Sequence, residues 1–176
     1  MARAYGWNAQ LLIAEENEYG VPPEENYWKI PFISSSLDSE QNLVSSNVLG
    51  LGRDPTQPFQ DVINVDGDMA VPVDMRNIGL WLKAVFGAPA TTDNEDGSFT
   101  HTFDSGKTSV PSYSLEVGLP EIPQFIRFSG VRANSIAFNF QRSGEAQATI
   151  NLMAQGESGS ETAIDTAPEV YPYTRV

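Results

Sequence analysis

Residues Asp61–Gly87, with the sequence DVINVDGDMAVPVDMRNIGLWLKAVFG, decide the fold of this chain. Over 61–73 apolar and polar residues alternate, which predicts a strand with one buried face and one wet face. Over about 75–86 apolar residues recur every three or four positions, which predicts an amphipathic helix. Asp74 is placed to cap the first turn of this helix, and Gly87 to end it. The strand residues predicted to face inward are Ile63, Val65, Met69, Val71 and Val73.

Alternating or short apolar segments on both sides of this stretch predict further strands. They cover residues 8–16, 28–36, 99–103, 112–117 and a long hairpin over 135–154 that turns at Ser143-Gly144. Because only one helix is predicted, its apolar side must cover a sheet. We therefore expect a mainly β fold, an antiparallel β-sandwich with one flanking helix at about 75–86.

Residues 37–59 are apolar without a regular period and contain two glycines and two prolines. They are predicted to form a long loop, which is uncommon within a lone compact domain. The segment either contains a strand that the pattern does not reveal or covers a neighbouring subunit.

The length of 176 residues and the 40% apolar composition allow one domain with a single core. We assign residues 1–156 to this domain. Residues 157–168 are rich in Ser, Thr, Glu and Ala, which is typical of a linker. The chain then becomes apolar again, so 157–176 is predicted to be a linker or the start of a second domain.

The charge and the amino-acid usage exclude several classes of function. Ten basic and 23 acidic residues give a formal net charge of −13, which excludes DNA binding by clustered cations on phosphates. The absence of cysteine excludes disulfides and thiolate metal sites. No apolar run reaches the roughly 20 residues of a membrane span, and the N-terminus does not have the pattern of a secretion signal. Synthesis as a soluble cytosolic product is expected.

The sequence contains no convincing catalytic, cofactor or metal site. His101 is the single histidine and lies within a predicted strand, without a partner for nucleophilic chemistry. Residues 93–97 (DNEDG) lack the spacing of a calcium loop and read as a hairpin turn. Asp66 and Asp68 share the wet face of a strand and could form a hydrolase pair, but no cleft is predicted around them. We therefore predict no enzymatic activity and no cofactor.

Seven short segments occur in a characteristic order and spacing along nearly the whole chain. They are Asn8–Leu11 continuing to Tyr19-Gly20, Pro31–Leu37, Leu49–Pro55, Val65–Asp68, Gly79–Pro89, Gly130–Asn134 and Ala154–Glu157. Together they resemble the tail tube proteins of long-tailed bacteriophages.

This resemblance implies a structural virion protein that self-assembles into stacked six-fold or pseudo-six-fold rings. Long hairpins of neighbouring copies would join edge to edge into an inner β-barrel, as in the related inner tubes of contractile tails and type VI secretion systems. The hollow tube would be assembled in the host cytoplasm and would pass double-stranded DNA without binding it specifically. Expected partners are other copies of the chain, the tape measure, the tail terminator and the baseplate or tip proteins, with no membrane.

Such an assembly would explain the acidity of the chain, because six copies at −13 each would carry −78 and repel DNA from the bore. Polar residues of the 61–71 strand and the 135–154 hairpin are expected to face the lumen: Asn64, Asp66, Asp68, Asn139, Gln141, Gln147, Thr149 and Asn151. Residues of the 37–59 segment and of the N-terminal arm are expected to make subunit and ring-to-ring contacts: Leu11, Leu43, Val48, Leu49, Leu51, Arg53 and Phe59.

Two other functions remain open at this point. A free β-sandwich module could bind carbohydrate or another ligand on exposed aromatic residues, with Tyr5, Trp7, Tyr27 and Trp28 as a platform. A carboxylate hydrolase centred on Asp66 and Asp68 is the third possibility. If the chain does form tubes, a hexamer of one-domain chains and a trimer of two-domain chains are both compatible with the sequence.

Overall fold

The computed structural model describes residues 5–46, 48 and 56–174. Within these ranges the chain forms twelve strands, one α-helix (α1, Ile78–Phe86) and a short 3₁₀ helix (Gly6–Asn8). The strands are β1 (Gln10–Glu15), β2 (Trp28–Ile30), β3 (Ser34–Ser35), β4 (Asp38–Val44), β5 (Phe59–Pro72), β6 (Ala90–Asp93), β7 (Phe99–Thr102), β8 (Tyr113–Leu119), β9 (Gln124–Asn139), β10 (Gln147–Ala154), β11 (Gly156–Ser160) and β12 (Glu169–Val170).

Ten of the strands form one open sheet that bends into two layers. The order β12-β2-β1-β8-β9 makes the first layer, to which β11 adds by pairing with the first half of β9. The second half of β9 continues into the second layer with β10 and β5, and β3 and β4 pair with β5. All pairs are antiparallel except β12 with β2. The predicted mainly β fold with one helix is confirmed, and the sheet does not close on itself.

Apolar residues of both layers and of α1 share one core. The first layer contributes Leu11, Ile13, Leu115 and Phe128, and the second contributes Val65, Met69, Val71, Ala148, Ile150 and Leu152. Trp81 and Ala84 of α1 join them and are buried. Because apolar burial is the main stabilising term, this shared core holds the two layers together.

The helix begins three residues later than predicted, at Ile78. The reason is the buried Asp74, whose Oδ1 accepts hydrogen bonds from the N–H groups of Arg76 (3.1 Å) and Asn77 (2.5 Å). These bonds hold 75–77 in a turn that precedes the helix. Gly87 ends the helix at a φ of 84°, as its position predicts.

Several strand predictions need correction. The predicted loop 37–59 contains β4, which pairs with β5 from Asp38 to Val44, so the segment does hide a strand. Residues 28–36 form two short strands rather than one, because Pro31, which has no N–H to donate, lies between them. The hairpin strand begins at Gln124 instead of 135. Ile63, predicted to face inward, is 60% exposed, because none of the described residues covers this end of β5.

The segment after residue 156 is part of the fold, so the predicted linker over 157–168 is wrong. Its first residues form β11, which pairs with β9. The buried Glu116 then fixes the next residues, because its Oε2 accepts hydrogen bonds from Arg127 Nε and from the N–H of Ile164, both at 2.8 Å. Ile164 packs with Leu12, Ala14 and Tyr27 in a second small core. The segment therefore covers the outer side of the first layer.

A buried carboxylate stabilises the bend between the layers. Glu16 accepts hydrogen bonds from Ser114 Oγ (2.7 Å) and from the N–H groups of Gly130 and Gly20 (2.8 Å each). Gly130 has a φ of 63° at the point where β9 passes from one layer to the other. A Cβ at Gly130 would lie 2.8 Å from Gln155 Cβ, so only glycine fits here without a shift.

Burial raises the pKa of Tyr27 to about 12, and it also raises the pKa of Tyr113. The folded chain therefore binds more protons than the unfolded chain between about pH 10 and about pH 12. We expect the free energy of unfolding to fall as the pH rises through this window. Urea midpoints at about pH 9 and about pH 11.5 should show this fall, and Tyr27→Phe should reduce it. An equal fall in Tyr27→Phe and wild type would contradict the assignment; Tyr5→Phe, at an exposed ring, is the control.

Candidate functional site: a polar sheet face and two free edges

The outward side of the second layer carries the polar residues that the sequence pattern singled out. Cross-strand pairs place Asn151 opposite Asp68 on β5 and opposite Ser135 on β9, so all three share this side of the sheet. Asn151 Nδ2 donates to Asp68 Oδ1 at 2.8 Å, and Asn134 Nδ2 donates to Asn151 Oδ1 at 3.1 Å. We call this side the polar face; its predicted members are Asn64, Asp66, Asp68, Asn139, Gln147, Thr149 and Asn151. Gln141 lies beyond the end of β9 and is exposed.

The polar face also contains two acids that the sequence analysis missed. Asp38 pairs directly with Asp66, and Glu40 with Asn64, so both extend the face onto β4. They were missed because β4 was not recognised within the 37–59 segment. Like charges directly opposite each other destabilise a sheet, so the stability of the free chain does not explain the Asp38–Asp66 pair.

The charge of the polar face is strongly one-sided. Its acids are Asp38, Glu40, Asp66 and Asp68, all exposed. The one cation that the described parts of β4, β5, β10 and the second half of β9 contribute is Arg132, whose guanidinium lies 4.8 Å from the centre of the Tyr19 ring. The face therefore has a net charge of −3 in each copy.

Asp66 and Asp68 do not have the surroundings of a hydrolase. Both lie exposed on an open strand face, and Asp68 accepts a hydrogen bond from the side-chain amide of Asn151. Within the described residues, no group of three or more His, Cys, Asp or Glu side chains is arranged to hold a metal ion. Among the described residues, no helix is long and apolar enough to cross a bilayer.

The second layer has two unpaired strand edges. From Arg132 to Asn139, β9 pairs with β10 on one side and with no described strand on the other. At the opposite end of the layer, β4 pairs with β5 and with no other described strand. Unpaired edges present free N–H and C=O groups, which readily pair with another chain. The layer β9-β10-β5-β4 is therefore able to continue in both directions.

The β4–β5 hairpin extends beyond the rest of the sheet. The last pair of β10 with β5 is Ala154 with Val65, whereas β4 and β5 remain paired as far as Val44 with Phe59. This is a two-stranded extension of about 20 Å. Its exposed apolar side chains are Leu43, Phe59, Val62 and Ile63. A two-stranded ribbon is marginally stable alone, and exposed apolar patches generally mark contact sites.

The predicted inter-subunit residues have different outcomes. Leu43, Phe59 and Val48 are 67%, 57% and 61% exposed, so their side chains are available to a partner. Leu11 is fully buried in the core of its own chain, so its prediction as a contact residue is wrong. The outward positions of β1 are covered by the second small core. Leu49, Leu51 and Arg53 lie outside the described residues.

The aromatic residues do not form the platform that a carbohydrate-binding module would need. Tyr5 and Trp7 stack with ring centres 4.5 Å apart and are exposed. Tyr27, however, is completely buried beneath the C-terminal segment, and Trp28 is half-buried and in contact with Tyr171. Two of the four rings are thus unavailable as a flat surface.

Comparison with known proteins gives a consistent result. The sequence model of the family described as "Phage tail tube protein" matches residues 6–176. Similar folds occur in the six-fold symmetrised anti-feeding prophage baseplate (TM-score 0.60, 11% identity, covering 91% of this chain and 97% of that chain). The SPP1 tail tube is also similar (0.52, 10%, 89% and 78%), as is the tail of an empty gene transfer agent particle (0.51, 15%, 92% and 100%). No curated protein matches the sequence.

Proposed function

Because this chain belongs to the phage tail tube protein family, we propose that its copies form stacked six-fold or pseudo-six-fold rings whose bore passes DNA. Its role is structural, as a tail tube component of the virion. The observation that carries the proposal is the open four-stranded layer with unpaired edges at β9 and β4. Edge pairing between copies would continue this layer around the ring.

Strand directions favour such a ring. Successive strands of the layer β9-β10-β5-β4 are antiparallel, so β9 and β4 at the two edges run in opposite directions. In a ring all copies have the same orientation, and β4 of one copy would therefore meet β9 of the next in antiparallel fashion. Six copies would close a barrel of 24 strands, which removes every free edge of this layer.

The polar face supports the assignment of the barrel interior. Where β5 pairs with β10, the opposite side of the layer is buried in the core, so the polar face is the side left to line the bore. Six copies with a net −3 each would place −18 on this surface in every ring. Charges act over about 8 Å at physiological salt, so these nearby acids would contribute more to DNA repulsion than the rest of the −13 per chain.

Contacts between rings are assigned to the β4–β5 extension and the N-terminal arm. Leu43, Val48 and Phe59 support this assignment because their side chains are exposed in the single chain. The tape measure, tail terminator and baseplate or tip proteins are proposed as partners at the ends and in the bore of the tube. Assembly in the host cytoplasm and the absence of enzymatic activity belong to the same proposal.

Electron microscopy of concentrated protein tests the assembly, and cysteine labelling of the assembled tubes tests which face lines the bore. Because the chain has no cysteine, Asn139→Cys, Gln147→Cys and Thr149→Cys each introduce a single thiol. We expect rings or hollow filaments, with these thiols protected from a bulky maleimide polymer in tubes and reactive in the unassembled chain. Glu18→Cys, exposed on the 17–20 loop, is the control. Rapid labelling of assembled tubes at all three positions would refute the lumen assignment.

A further inference from the structure

A second ribbon leaves the domain between α1 and β8. Its strands β6 and β7 pair from Ala90–Thr102 to Asp93–Phe99, and every residue of both strands is exposed. They form a separate two-stranded sheet that shares no hydrogen-bonded ladder with the other described strands. We call residues 90–102 the arm. An isolated ribbon of this kind contributes nothing to the core and is only marginally stable by itself. We therefore expect it to bind a partner.

The tip of the arm is held in one conformation by its own hydrogen bonds. Asp93 Oδ1 accepts from the N–H of Glu95 (2.9 Å), and Asp96 Oδ1 accepts from the N–H of Ser98 (2.9 Å). Asn94 Nδ2 also donates to Ser98 Oγ at 2.9 Å. Such preorganisation lowers the entropic cost of binding. The tip presents one large apolar ring, Phe99, which is 59% exposed, beside three carboxylates.

A groove with complementary properties lies at the other end of the molecule. It has a volume of about 540 Å³ and a mostly apolar lining. Lys29 also lines it and, among the described residues, takes part in neither of the two ion pairs, which use Lys83 and Arg127. We call it the N-terminal groove; its principal lining residues are Trp7, Lys29, Phe32, Ile33, Tyr171 and Tyr173.

The strand register places the arm and the groove at opposite ends of the first layer. The arm returns to the domain at Ser112, whose carbonyl accepts the N–H of Glu16 just beyond the end of β1. The groove lies at Gln10, the first residue of β1. The length of β1 separates the two by about 17 Å. A contact between them is therefore of the head-to-tail type, which joins successive copies rather than closing a symmetric dimer.

We propose that the arm of one copy inserts Phe99 into the N-terminal groove of a second copy, where Lys29 faces the acidic tip. The proposal rests on the self-assembly proposed above and adds a specific contact to it. Charge complementarity supports this occupant, because the chain has only ten basic residues against 23 acidic ones and one of the ten, Lys29, lines this groove. A buried aromatic ring surrounded by a polar rim is the usual arrangement of an interface hot spot.

Cross-linking between two single-cysteine variants tests the contact directly. Thr92→Cys near the arm tip and Ile33→Cys in the groove are mixed, assembled and treated with a short bis-maleimide. We expect a covalent dimer from assembled tubes and none from the dilute monomer. Glu18→Cys mixed with Ile33→Cys is the control, since Glu18 lies near the arm base rather than its tip. Normal tubes without the Thr92–Ile33 dimer would overturn this contact and leave the tube function standing. A wild-type chain that stays monomeric would refute both.

Substitution provides a second test. Phe99→Ala and Lys29→Glu should each raise the critical concentration for tube formation by roughly tenfold or more. Both leave the core intact, so the urea midpoint of the monomer should not change. Adding Glu95→Lys to Lys29→Glu should restore assembly, because the charges are exchanged across the contact. Glu18→Lys in place of Glu95→Lys should not restore it. Absence of rescue, or an unchanged critical concentration in Phe99→Ala, would contradict the proposal.

Discussion

Replacing Glu16 with alanine should lower the free energy of unfolding by about 3–5 kcal/mol. The substitution leaves the N–H groups of Gly20 and Gly130 and the hydroxyl of Ser114 without their acceptor in a buried corner. The same corner fixes the angle between the two layers, so the loss affects the whole domain. Urea denaturation of the monomer measures it as a lower midpoint at an unchanged m-value.

Glu18→Ala is the matched control for this prediction. Glu18 is exposed two residues away, and its side chain has no hydrogen bond among the described residues. Its substitution should change the free energy of unfolding by less than about 0.5 kcal/mol. Glu16→Gln should give an intermediate loss, since the amide keeps one acceptor but turns an NH₂ group toward existing donors. Equal midpoints for Glu16→Ala and Glu18→Ala would show that the corner does not depend on this carboxylate.

Tubes built from the double variant Asp66→Lys/Asp68→Lys should bind DNA, whereas wild-type tubes should not. Each copy loses two negative charges and gains two positive ones on the polar face, which changes the net charge of that face from −3 to +1. Lysines that contact phosphates release counterions, so the affinity should fall roughly a thousandfold or more between about 50 and about 200 mM salt. Fluorescence anisotropy of a short labelled duplex measures both the affinity and its salt dependence.

The control for the lysine variant carries the same charge change elsewhere. Glu24→Lys/Glu25→Lys alters two exposed acids in the loop before β2, on the first layer. If the polar face lines the bore, these tubes should bind DNA much more weakly than Asp66→Lys/Asp68→Lys tubes. Similar binding by the two variants would mean that total charge, rather than its position, governs contact with DNA.

Those parts of the fold that depend on local pattern could be predicted from the sequence. β5 and β10 alternate because one side faces the core, and α1 repeats its apolar residues because one side covers the sheet. The same alternation identified the polar face, since the wet residues of β5 and β10 pair opposite each other. The alternation within each strand thus correctly predicted that the polar residues of both strands lie on the same side of the sheet.

Parts that depend on distant contacts could not be predicted. The first half of β9 lacks a clean period because Gly130 and a register shift against β8, between Tyr113 and Leu115, break the alternation. β4 is exposed at nearly every position, so it has no apolar period at all, and only its pairing with β5 makes it a strand. The C-terminal segment resembled a linker because Glu116, more than 40 residues earlier, is what holds Ile164 in place.

The even number of strands in the layer β9-β10-β5-β4 limits how a protein of this kind can change over evolution. Gaining or losing one strand would make both borders run the same way, and every junction between copies would become a parallel seam among antiparallel neighbours. Such a defect would recur at each junction of each ring, because all copies come from one gene. Lineages that widen or narrow the bore are therefore expected to add or remove whole hairpins, or to alter the number of copies.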